Sequence, residues 1–141
     1  MPLNLIKLSV GSESVDTLAN WQRTVRARYQ DGLPRHVTRM WPKRAEEVLA
    51  GGSIFWVIKG AVQCRQKVLR FDEALGDDGI LRCAFVLDPE LVPVVPSLKR
   101  PFQGWRYLRP EDAPIDMDPE RATEGALPPE LSVALAEIGV L

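Results

Sequence analysis

Seven consecutive residues, Ser53 to Lys59 (SIFWVIK), put Ile54, Trp56 and Ile58 on one side of an extended chain and Phe55 and Val57 on the other. A strand that is apolar on both faces has to be covered on both, so it belongs at the centre of a sheet, and the rest of the chain must be laid around it. Gly60 turns the chain back into Ala61–Phe71, where Val62, Cys64 and Val68 share one face and Arg65 and Lys67 the other. Gln66 falls on the apolar face, where a buried amide needs partners: it marks either a bulge or a polar site. Further on, the apolar residues switch to Leu69 and Phe71, which predicts a bulge in this strand.

Around this pair the chain reads as further strands with two early helices. Leu3–Val10 is a strand whose alternation shifts phase once. Ser14 is placed to cap a helix running to about Gln30, with Val15, Leu18, Trp21, Val25 and Tyr29 as its buried stripe and Trp21 in the core. Asp31-Gly32-Leu33-Pro34 ends it, and Arg35–Met40 follows as a short strand. Pro42 opens a second helix that Gly51-Gly52 stop. Gly76-Asp77-Asp78-Gly79 joins two strands, the second being Ile80–Leu87. Pro89, Pro93 and Pro96 confine the next stretch to a sheet edge. Residues 1–114 thus form a single α+β domain. It is built on a mostly antiparallel, barrel-like sheet of five or six strands, and residues 115–141 add an acidic strap and a helix with Leu131, Leu135 and Ile138 as its stripe.

Charge is segregated along a chain whose net charge is only −1. Residues 32–71 carry eight Lys/Arg against two acids, and residues 91–110 carry four with no acid, whereas 72–90 and 111–141 are strongly acidic. Within the second basic segment, Arg100–Tyr107 (RPFQGWRY) holds two arginines and three aromatics. Arginine forks bind phosphate or carboxylate, and Trp or Tyr faces stack bases. This pattern points to a nucleotide or single-stranded RNA held on a basic, concave surface. Its candidate ligand-binding residues are Arg39, Trp41, Lys59, Arg65, Gln66, Arg100, Gln103, Trp105, Arg106 and Tyr107. The alternative is an interaction module whose basic face docks an acidic protein partner or a second copy of the chain. The structural reading of the 100–107 stretch is a clasp, with Phe102 and Trp105 as core anchors and Arg100 or Arg106 paired with acids of the C-terminal segment.

Enzyme chemistry has little material. His36 is the only histidine, and Cys64 and Cys83 lie in apolar runs, so metal-site spacing and nucleophilic triads are both missing and no cofactor is expected. An enzyme acting on a small anionic substrate through Arg65 and Gln66 is the weakest of the readings. The longest apolar run, Ile54–Ile58, is too short for a membrane span, and the N-terminus shows no leader pattern, which predicts a cytoplasmic protein.

The motifs HVTRMWP (His36–Pro42), WVIKG (Trp56–Gly60), CRQ (Cys64–Gln66) and RPFQGWRYL (Arg100–Leu108) resemble an uncharacterised alphaproteobacterial family, the domain of unknown function 1489. That resemblance spans Leu5 to about Asp116 and implies no activity. The order of elements is also similar to that of small PUA and ASCH barrels, which implies binding of RNA or a modified base.

Overall fold

A computed structural model describes residues 2–117; the proposed C-terminal helix lies outside the described residues. In chain order the elements are β1 (Asn4–Leu8), α1 (Val15–Arg26), β2 (Arg35–Thr38), α2 (Ala45–Leu49), β3 (Ser53–Ile58), β4 (Ala61–Leu75), β5 (Leu81–Leu87), β6 (Val92–Leu98) and β7 (Trp105–Leu108). The fold is α+β, and its sheet has seven strands where five or six were expected. The order is β2-β5-β4-β3-β1-β7, with β6 on β4, and every pairing is antiparallel except β1 with β3.

β3 is buried at all six positions, as a strand apolar on both faces requires. It is joined to β4 by a two-residue turn in which Lys59 (φ 50°) and Gly60 (φ 79°) both adopt left-handed backbone, the requirement of a tight hairpin. The fifteen-residue β4 serves two neighbours along one edge, β6 at its start and β5 at its end. Its register slips between Val68 and Arg70, the bulge that the change of apolar side predicts. Among the strands β6 pairs with β4 alone, consistent with Pro93 and Pro96 within it.

The sheet is strongly curled. Phe85 on β5 and Trp105 on β7 stand 6.0 Å apart between ring centroids, yet their strands are four places apart in the sheet, roughly 19 Å if it were flat. His36 on β2 likewise meets Trp56 on β3 at 5.7 Å. The inner face encloses Leu3, Leu5, Ile54, Trp56, Cys64, Phe85, Leu87 and Trp105. The outer face buries Ile6, Phe55, Val57, Val62, Val94 and Leu108 beneath Phe102 and Ala113. The curl does not close into a barrel: β7 and β2 are its ends, and a side-chain bond from Trp105 Nε1 to the Met40 carbonyl (2.9 Å) ties them in place of a ladder.

The helices are shorter than expected. α1 starts as predicted, the Ser14 hydroxyl accepting from the Thr17 amide at 3.1 Å, but ends at Arg26. Its stripe is also displaced. Leu18 and Gln22 are its buried residues, and Trp21, expected in the core, is 59% exposed. α2 is a single turn. Behind it Gly52 lies against the Leu3 and Val48 carbonyls so closely that a Cβ would collide with backbone, so only glycine lets α2 return onto β1. Residues 115–117 begin the proposed strap: Val95 donates to the Ile115 carbonyl and Met117 to the Pro93 carbonyl, both at 2.9 Å, lacing this segment along β6.

Candidate ligand-binding cleft

α1 rests on the body of the domain along a narrow keel. At about 100° per residue, Leu18 and Gln22 point down, Val15, Ala19, Arg23 and Arg26 lie to one flank, and Trp21 and Val25 to the other. A cleft opens on each flank, and Gln22 borders both. The smaller, of about 340 Å³, lies between Arg23, Arg26 and the prolines Pro34, Pro89 and Pro93. The larger, about 490 Å³, is bounded by the end of β1, the Ser9–Ser12 turn, α1, His36 and Trp56. That size is within the range of small-ligand sites.

Gln22 and Trp56 line the larger cleft, and the amide network to which both belong lies beneath them as its floor. Gln66 Nε2 donates to Gln22 Oε1 and to the Asp88 carbonyl, each at 2.7 Å, while its Oε1 accepts from Gln22 Nε2 (2.9 Å) and Trp56 Nε1 (3.1 Å). Both protons and both lone pairs of Gln66 are used, which is why a fully buried amide is tolerated here. The wall is different. His36 packs edge-on against Trp56 and Phe85, its Nε2 enclosed and without a hydrogen-bond partner among the described residues. Burial, and secondarily the charge of Lys7, pushes its pKa down to about 4, so the ring is neutral at pH 7.

Lys7 stands on the inner side of β1, in register with Trp105 and in line with Leu3 and Leu5. Its Nζ donates to the Leu8 carbonyl at 3.2 Å, and it joins no ion pair among the described residues. Burial lowers its pKa. Arg35, also at the cleft, is already committed: it grips Asp31 with two nitrogens (3.1 and 2.6 Å) and covers the Tyr29 ring at 4.1 Å. Asp31 also receives Arg70 at 2.8 Å, and these two guanidinium groups hold its carboxyl far below the usual range.

The residues predicted to bind ligand do not come together. Arg65 and Arg106 project from the outer face, in one row with Phe55 and Ile6 between them, roughly 14 Å apart across three strand spacings. Arg65 is taken up by Asp116 (two contacts of 2.7 Å) and by Ser53 Oγ (3.1 Å). Arg106 lies 5.0 Å over the Phe102 ring. Gln66 and Trp105 face the opposite way, into the core. Tyr107 accepts at its hydroxyl from the Arg44 amide (3.0 Å), fastening the segment before α2. Lys59 sits in the hairpin turn, paired with Glu13 at 3.0 Å. Arg39, Trp41, Arg100 and Gln103 are exposed, outside both clefts. Much of the 100–107 stretch is thus used to hold the fold.

Cys64 and Cys83 are buried, and burial pushes their pKa values up to about 12 and about 11, which leaves no ready thiolate. Lys7, Gln22 and Trp21 were absent from the sequence-based candidates. The phase shift in β1 was the faint signal for Lys7, since it set that residue in line with core residues. No helix among the described residues is long and apolar enough to cross a membrane.

Fold and cleft together define a small α+β domain with a curled, open sheet and a ligand-sized cleft under its first helix. The chain belongs to the family described as protein of unknown function (DUF1489), which it matches over residues 5–141. No curated protein and no solved structure matches it.

Proposed function

We propose that this protein binds a small anion with a planar body, of the nucleotide class, in the larger cleft beside α1. The observation that carries the reading is the state of the wall: a half-buried ammonium at Lys7 without an acidic partner among the described residues, beside the enclosed, unpartnered Nε2 of His36. A buried cation is costly unless an anion or several dipoles compensate it, and a ligand phosphate or carboxylate at Lys7 does so. Trp21 at the rim, 59% exposed, offers aromatic surface to a flat ligand body. The order of strands and early helices is similar to that of small PUA and ASCH barrels, an analogy of element order alone since this sheet is open, and the analogy points to the same class of ligand.

Titration of the intact protein with ribonucleoside 5′-monophosphates, followed by tryptophan fluorescence, tests the reading. Saturable binding is expected, with Lys7→Met weakening it about tenfold or more. Absence of saturable binding at millimolar nucleotide, or equal affinity in Lys7→Met, overturns it.

A further inference from the structure

We infer that Gln22 is the residue that selects among ligand bodies in this cleft, and that Gln66 is its positioning residue; the inference rests on the nucleotide reading above. The two ends of an amide are nearly the same shape, and here their partners fix which end is which. The Asp88 carbonyl can only accept, so the group facing it is Gln66 Nε2; the Trp56 indole can only donate, so the group facing it is Gln66 Oε1. With Gln66 fixed, the reciprocal bonds at 2.7 and 2.9 Å fix Gln22 as well.

That pairing consumes one proton and one lone pair of Gln22 and leaves one of each. In a cyclic amide pair the two inner groups face the partner, so the spare N–H and the spare lone pair diverge to opposite sides. Gln22 borders a cleft on each side of the α1 keel. The larger cleft therefore receives one hydrogen-bonding group of fixed sense, held on a helix and braced by a saturated network. Turning the amide over to suit another ligand would set N–H against N–H and oxygen against oxygen at Gln66. The site thus discriminates a donor from an acceptor on the planar body of its ligand, while Lys7 takes the anionic group whatever that body is.

The four ribonucleoside 5′-monophosphates and ribose 5-phosphate, titrated against the intact protein, test this by their affinity ratios. The expected result is a spread of about tenfold or more between the best and worst base. Gln22→Met should compress the spread to within about twofold, each base being read against that variant's own affinity for ribose 5-phosphate. Gln22→Glu, nearly isosteric, serves as the second variant. Its charge weakens all five ligands together, and because it sets an oxygen against Gln66 Oε1 and removes the spare N–H, it should also reorder the bases. A spread below twofold in the unaltered protein, or an unchanged ranking in whichever variant retains native circular dichroism, overturns the role of Gln22 and leaves nucleotide binding standing. Failure of every nucleotide to bind the unaltered protein overturns both.

Discussion

Two of the polar side chains in the interior of this curled sheet, Gln66 and His36, reach Trp56. Gln66 meets its indole N–H at 3.1 Å; His36 meets its ring edge at 5.7 Å between centroids. Around Gln66 every donor and acceptor has a protein partner, so the floor of the cleft is finished within the chain itself. Around His36 one enclosed nitrogen lacks any, and the nearby ammonium of Lys7 rests on one carbonyl. A closed network adds rigidity and an open one leaves polarity to be satisfied from outside. Gln66 is therefore structure, and binding is to be sought at the wall and at the spare groups of Gln22.

The contrast breaks most directly at Gln66. Gln66→Leu strands the Gln22 amide, the Trp56 indole N–H and the Asp88 carbonyl together, and is expected to cost about 3–5 kcal/mol by urea unfolding at pH 7. His36→Leu removes a group that already lacks a partner and should cost about 1 kcal/mol or less. Equal losses in the two variants would erase the distinction between floor and wall.

The next effect is a dependence on pH. The His36 pKa falls from its ordinary 6.5 to about 4 in the folded chain. Between those values the unfolded chain holds a proton that the folded chain does not, so acidification favours unfolding. The contribution of the neutral ring is complete above pH 6.5 and lost progressively as pH falls towards 4, on the order of 3 kcal/mol in all. Unfolding free energies measured across that window should show this slope and should lose it in His36→Leu. A slope that survives the substitution would assign it to another group.

How much of this could be read beforehand follows from the rule of two. β3 was legible because apolar residues on both faces admit one explanation, and Gln66 because an amide on an apolar face has to be accounted for. The same rule separates Arg65 from Gln66 and Trp105 from Arg106, since neighbours on a strand point to opposite faces. Grouping them in one concavity set the charge pattern above the geometry. Trp21 misled for a different reason. The helical stripe assumed a broad seat for α1, but Leu18 and Gln22 alone are buried, and no local pattern announces that a glutamine replaces a tryptophan at the contact. The cleft depends on how far the sheet curls, which brings β2 to β3 and β5 to β7 across the interior; that is a property of long-range packing, absent from any single window.

The smallest expected effect supplies the control for the histidine. Asp116 on the outer face pairs with Arg65, and the hydrogen bonds from this guanidinium lower its carboxyl pKa below the ordinary 3.8. Its contribution is present above that ordinary value and is lost only as pH falls below it, the opposite end of the window from His36. The pair is partly exposed, so Asp116→Asn should cost only about 0.5 kcal/mol at pH 7 and less in high salt. It should leave the slope between pH 6.5 and 4 intact and soften only the acid limb beneath. If Asp116→Asn instead flattened the upper slope, the outer clasp and the inner wall would be coupled, and His36 could not be treated as an isolated group awaiting a ligand.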